Sequence, residues 1–187
     1  KNEKRNWSKL SKDINEVLFQ ILEKYEGNVQ IIYKFSDKKH RDKSIYFERF
    51  KNRCKKHIEK NYLIVLGGST LSYDLMRHSN IIVGFQTSAL IEAMNTDRTI
   101  LYTAWGDLYE SIKDTLLPIA RKGCVIECSS KEYFFKNISQ SIENFMKNKK
   151  QESFSLEHRK EFVDQYFSKS DGLVAERLSK LISKIIN

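Results

Sequence analysis

The amino-acid sequence predicts an α/β domain, Rossmann-like, with a parallel sheet of about five strands and helices on both faces. Three observations carry that prediction. Short apolar runs recur at residues 29–33, 62–66, 81–83, 99–102 and 124–126, and a strand buried on both faces reads as a continuous run. Stretches with apolar residues at three- and four-residue spacing separate these runs. Most of the seven glycines adjoin a run, where the chain must turn.

The elements follow in order. Residues 8–25 read as a helix, with Ser8 or Ser11 to cap it and Leu10, Ile14, Val17, Leu18, Ile21 and Leu22 on one stripe. Gly27 and Asn28 stop it, and the first strand follows. Residues 43–59 predict a helix with Tyr46, Phe47, Phe50, Cys54 and Ile58 on one side and basic residues on the other. The second strand, 62–66, ends at Gly67 and Gly68. A helix over 69–79 precedes strand 81–83, a helix over 88–95 precedes strand 99–102, and a helical stretch over 108–120 precedes strand 124–126. Residues 131–147, 156–167 and 172–186 read as closing helices. The whole, 1–187, is expected to be one domain, with 148–187 as its closing segment.

Composition narrows the class. Of 187 residues, 40% are hydrophobic and 12% aromatic, which argues against a disordered chain. The net charge of +9 is lopsided: residues 1–60 hold 17 basic and 9 acidic residues, the remainder 16 and 15. No apolar run approaches the roughly 20 residues that span a bilayer, and no signal peptide is legible. A chain that opens on Lys1 is expected to be an excised piece, with a partner domain elsewhere. Cys54, Cys124 and Cys128 are too few and unevenly spaced for a disulfide framework and fit a reducing compartment. The C-x3-C of Cys124 and Cys128 reads as the end of a buried strand rather than a metal clamp.

Ligands of open parallel sheets bind beyond the carboxyl ends of the strands, which selects four loops. After the third strand, Gly84, Phe85, Gln86, Thr87 and Ser88 lead into a helix. Free amides and two hydroxyls there suit a phosphate; the plainer alternative is that Ser88 caps the helix. Glu92, among apolar neighbours Leu90, Ile91, Ala93 and Met94, is expected in a largely buried setting, where a carboxylate needs a partner such as a ribose hydroxyl. After the second strand, Ser69 or Thr70 reads as a cap, with Ser69 also a lining residue. After the first, Lys34 can reach a diphosphate as a point charge, whereas Lys38, Lys39 and Arg41 read as a solvated face and His40 is ambiguous. After the fourth, Trp105 either stacks on a base or sugar or covers the end of the sheet. His57, His78 and His158 lack spacing for metal or triad chemistry, and no nucleotide-binding glycine fingerprint or P-loop is present.

Residues 79–94, Ser-Asn-Ile-Ile-Val-Gly-Phe-Gln-Thr-Ser-Ala-Leu-Ile-Glu-Ala-Met, with Thr-Ile-Leu-Tyr at 99–102, resemble the donor-binding half of GT-B glycosyltransferases of bacterial capsule and surface-polysaccharide synthesis. Asp171 and Gly172, with Ala175, Glu176 and Arg177, resemble the closing helix of that group. Lys34 matches the Lys of a Lys-x-His-Pro motif, with no His-Pro after it. The resemblance implies one half of a GT-B fold that binds a nucleotide-sugar, with Thr87 and Ser88 on its phosphates and Glu92 on its ribose. The donor-binding set is therefore Lys34, Gly84, Gln86, Thr87, Ser88 and Glu92, lined by Ser69 and Trp105, with no catalytic residue assigned. It also implies no metal or other cofactor, a glycan or lipid-linked acceptor on a missing N-terminal domain, and an isolated domain inactive alone. The location implied is cytoplasmic, or peripheral on the inner face of the plasma membrane.

Two other classes stay open. Residues 34–60 hold 11 basic against 4 acidic residues, so a nucleic-acid- or anionic-lipid-binding module is the first, although no nucleic-acid motif accompanies the charge. A nucleotide-sugar 2-epimerase half is the second, and it needs carboxylates and a His that the sequence does not place.

Overall fold

A computed structural model describes residues 8–35, 45–67, 70–116, 118–120, 123–149, 155–167 and 173–186. The chain is mixed α/β, as expected, and its strands run parallel. It opens with α1 (Ser8–Lys24), whose stripe of Leu10, Val17, Leu18, Ile21 and Leu22 is buried. Gly27 ends the turn after it at φ +83°, a conformation that favours glycine. Strand β1 (Ile31–Lys34) leads to α2 (Ile45–Arg53) and α3 (Lys55–Glu59), then β2 (Leu63–Leu66). The single helix expected over 43–59 is thus two, interrupted at Cys54 (φ −88°, ψ 11°). The buried ridge of Phe47, Phe50, Cys54 and His57 continues through the interruption.

Next come α4 (Ser72–His78), β3 (Ile81–Gly84), α5 (Ser88–Ala93), β4 (Thr99–Thr103) and α6 (Asp107–Ile112), which tightens into a 3-10 turn over Lys113–Thr115. Strand β5 (Ile126–Cys128), α7 (Lys131–Met146), α8 (Leu156–Phe167) and α9 (Val174–Ile186) complete the order. Ser130 caps α7 by accepting from the Tyr133 amide at 3.2 Å. Among the described residues, no helix is long and apolar enough to cross a membrane.

The expected single sheet is two. β1 pairs with β2, Ile31 opposite Leu63 through Lys34 opposite Leu66. β3 pairs with β4, and β4 with β5, all parallel. Among the described strands, nothing joins β1 to β3. Both present an edge to a cavity that parts them, so the spatial order is β2, β1, gap, β3, β4, β5.

Two cores hold these layers. The first gathers α1, α2 and α7 against both sheets: Leu63 of β2, Leu101 of β4, Cys128 of β5 and Phe134 of α7 share one cluster, with Tyr33, Val65 and Val83 packed on it. The second lies on the opposite face, where Met76 of α4, Leu90 of α5, Ile100 and Tyr102 of β4, and Phe162 and Val163 of α8 meet. Every residue of β4 is buried, and its alternate side chains feed the two cores. Gly84 is closely packed: a Cβ on it would lie 3.1 Å from Cδ2 of Leu90, which would have to give by a few tenths of an ångström.

The last strand starts two residues later than its apolar run. Gly123 turns at φ +65°, and its carbonyl accepts from the Ser155 amide at 3.1 Å. The Cys124 carbonyl accepts from Nε of Arg159 at 2.6 Å, so this backbone is bonded to the start of α8 rather than to β4. Arg159 is 1% exposed. Its Nη1 also donates to the carbonyls of Thr96 (3.0 Å) and Arg98 (2.8 Å). Burial pulls its guanidinium down to about 10, which still leaves it charged at neutral pH. Cys124 and Cys128 belong to different cores, so they do not converge on a metal, and all three cysteines are free and buried.

Arg159→Met should destabilise the fold by about 3 kcal/mol or more in urea unfolding, because three inward-facing carbonyls lose a charged donor. Arg159→Lys should recover less than half of that loss, since one ammonium cannot reproduce the spread of a planar guanidinium.

Candidate functional site

The strand order reverses between β1 and β3. From β1 the chain moves outward to β2; from β3 it moves the other way, to β4 and β5. The connecting helices change face accordingly, with α2 in the first core and α5 in the second. Such a reversal is where open α/β sheets bind ligands. A cavity of about 510 Å³ occupies it, with β1 and β3 as walls and α1 and α7 as floor. Ile14, Leu18 and Ile21 come from α1, and Ile138, Ile142, Phe145 and Met146 from α7. Lys34, Gly84, Phe85 and Thr103 mark its carboxyl end; Asn28, Gln30, His78, Ser79 and Asn80 mark its amino end. The volume falls in the range of about 300–1,000 Å³ usual for small-molecule sites.

Of the expected donor-binding residues, the fold brings Lys34 and Gly84 to this crevice. Gln86 holds a left-handed backbone, φ 37°, and its amide donates to the Tyr102 hydroxyl at 2.7 Å. Thr87, not Ser88, caps α5, accepting from the Ala89 amide at 3.4 Å. Ser88 is the first residue of a six-residue helix and is exposed. Glu92 is exposed rather than buried: Leu90 and Ala93 take the inward face of α5, which turns Glu92 to solvent. The desolvated carboxylate that would seek a ribose is therefore absent. Trp105 takes the second of its two expected roles. It is nearly buried, packs on Phe134 at 6.0 Å and donates to Asp13 at 3.2 Å, covering the end of the sheet. Ser69, the loop residues Lys38, Lys39, His40 and Arg41, and Asp171 with Gly172 lie outside the described residues.

Electrostatics single out Lys34. Much of the basic charge on α2 and α3 is neutralised by acidic residues of α1 and the turn after it. Arg53 pairs with Glu16 at 2.5 Å and stacks over Phe19, while Lys56 and Lys60 share Glu26 at 3.1 and 2.7 Å. Lys60 and Lys56 hold the Glu26 carboxyl down at about 2. His57, which is buried, meets Glu23 at 2.5 Å. No described carboxylate pairs with Lys34, and among the described residues no Asp or Glu lines the crevice.

The floor and the amino end of the crevice were not legible beforehand. The stripes on α1 and α7 are visible as helical periodicity, but periodicity does not say that both helices straddle one gap. Arg159 carries no sequence signal that separates it from other helix arginines. Among the described residues, no group of three or more His, Cys, Asp or Glu is placed to hold a metal ion. No protein family, curated protein or solved structure matches the chain.

Burial pushes two phenols near the crevice, Tyr33 and Tyr102, up to about 12. Their unfolded counterparts ionise near 10, so the unfolded state loses protons first and gains on the native state between those values. Stability should fall as pH rises from 10 to 12. Absorbance titration should show Tyr33 and Tyr102 among the late-ionising tyrosines, with one fewer in Tyr33→Phe.

Proposed function

We propose that this domain binds a nucleotide-sugar at the carboxyl end of the crevice and serves as the donor half of a glycosyltransferase. The observation that carries the reading is the placement of Lys34 and the turn leaving Gly84 on the two lips of the crevice at which the strand order reverses. Lys34 supplies the charge: it follows the last core-facing residue of β1 and meets no described carboxylate. The hydroxyls of Thr87 and Ser88 are exposed on the adjoining turn and can donate to phosphate oxygens. The amides of a six-residue helix contribute little beside these, and one is already capped.

Chemically, the arrangement fixes a donor and stabilises charge on its departing diphosphate, with Lys34 as the counter-charge. The acceptor and the group that activates it would belong to a second domain, so the domain alone binds without turning over. The similarity of residues 79–102 to surface-polysaccharide enzymes supports the sugar-nucleotide class. The internal pairing of Arg53, Lys56 and Lys60 weighs against the nucleic-acid reading, because those cations already have partners.

Titration with UDP, GDP and CMP to millimolar levels should shift amide resonances at Lys34 and residues 84–89. Lys34→Ala should weaken the best of them roughly tenfold, the loss of a hydrogen bond to a charged group of about 1.5 kcal/mol. Silence at those amides for all three nucleotides removes the reading.

A further inference from the structure

The walls of the crevice are two strand edges whose hydrogen-bonding groups are unused. The Ile31 amide donates to the Tyr62 carbonyl at 2.8 Å and the Phe35 amide to the Leu66 carbonyl at 3.1 Å, so Ile31, Tyr33 and Phe35 direct their backbone groups to β2. Successive residues of a parallel strand turn those groups to opposite sides, which aims the N–H and C=O of Ile32 and Lys34 into the gap. On β3 the Asn80 carbonyl accepts from the Thr99 amide at 3.2 Å. Asn80, Ile82 and Gly84 therefore face β4, and Ile81 and Val83 face the gap. No described strand pairs with these four residues. A row of unpaired N–H and C=O groups is a template for another strand, and burying it without partners is costly.

The gap has room for one strand. Paired strands lie about 4.8 Å apart, so a strand between β1 and β3 would set them roughly 9.6 Å apart. Most of their Cα atoms lie more than 8 Å from one another, too far for direct pairing. At sheet spacings a residue fills roughly 160 Å³, so the cavity of about 510 Å³ takes a segment of about three residues.

The surroundings define what that segment must be. One of its faces would meet Leu18 and Ile21 of α1 and Ile138 and Ile142 of α7, between Tyr33 and Val83. The other would lie between Ile82 and Ile32, which is 37% exposed. A strand enclosed in this way is apolar on both faces. Lys34 shares the face of Ile32 by the alternation of the strand, so the last position on that face falls between Lys34 and Gly84. Among the described residues, no carboxylate lines the crevice there.

We propose that the crevice takes up an extended segment of a partner protein as an added strand, hydrogen-bonded to β1 and β3, with apolar residues along the gap and a carboxylate beside Lys34. A peptide backbone satisfies both edges at once, and main-chain bonding with side-chain pockets at alternate positions is an established mode of peptide recognition. The inference goes beyond the donor reading and does not rest on it, since the two share only Lys34.

The test follows amide hydrogen exchange by NMR in the full chain, with the peptide acetyl-Ser-Val-Thr-Val-Glu-Ser-amide, which sets its Glu at Lys34 when it runs parallel to the walls. Without peptide, the amides of Ile32, Lys34, Ile81 and Val83 should exchange at least tenfold faster than those of Ile31, Tyr33, Ile82 and Gly84. Saturating peptide should slow the first four at least tenfold and change the others little. Methylating the backbone nitrogens of the peptide's Thr and Glu should abolish the effect. Replacing its Glu by Lys should weaken binding roughly fivefold or more, since like charges side by side on a sheet repel. Lys34→Glu should reverse that preference, and Lys34→Ala should erase it. Slow exchange at the four amides before peptide is added would overturn the proposal, because the walls would then already be paired with each other or with a second copy. So would protection without the alternation, undiminished binding of the methylated peptide, or indifference to the sign of its charge. Nucleotide shifts at 84–89 with Ile32, Ile81 and Val83 unmoved by peptide would overturn this proposal alone; the converse would overturn only the donor reading.

Discussion

Two separate sheets share one core because α1 and α7 pack across the space between them. Backbone hydrogen bonds stop at the edges of β1 and β3, so what joins the halves is side-chain burial. Val17, Leu18, Ile21 and Leu22 from α1 and Phe134, Ile138 and Ile142 from α7 form the common layer. A fully buried side chain of this size is worth roughly 1.5–3 kcal/mol, whereas an exposed ion pair is worth about 0–1 kcal/mol. The surface pairs of α1 with α2 and α3 therefore set register more than they supply cohesion. Polar contacts pin α1 at both ends: Asp13 meets Trp105 beyond β4, and the Tyr25 hydroxyl donates to Glu143 of α7 at 2.8 Å.

That bridge explains why a cavity can persist at the switch point. A continuous sheet would close β1 onto β3 and fill the space with main chain. With the helices carrying the connection, the strands remain apart, and the floor of the gap is the same apolar layer that holds the molecule together. The floor of the crevice and the core are thus two sides of one set of helices. On the other face, the second core is closed by α8, with Arg159 linking it to the loop before β4 and the approach to β5 through three carbonyls.

The charge distribution takes on a different meaning in three dimensions. The excess of basic residues near the start of the chain suggests an electropositive face. Among the described residues, however, Arg53, Lys56 and Lys60 sit against Glu16 and Glu26. Lys34 stands apart because its strand ends at the crevice, where none of the described lining residues is acidic. A position at the carboxyl end of the strand beside a topological reversal sets this lysine apart from its neighbours in sequence.

Much of the secondary structure was legible from the order of residues, because it follows from local rules: apolar runs make the strands, three- and four-residue spacing makes the helices, and Gly27 and Gly123 mark turns that favour positive φ. Lys34 was legible for the same reason, as a cation at the end of an apolar run. Other features required the assembled fold. That Glu92 is exposed depends on which face of α5 meets β3, which a short helix with apolar residues all round does not announce. That β5 begins at Ile126 depends on Arg159, 33 positions further along, capturing the Cys124 carbonyl. That the sheet divides depends on α1 and α7, distant in sequence, meeting beneath the gap. Each of these outcomes is a choice between partners far apart in the chain, and periodicity records only what neighbouring residues prefer.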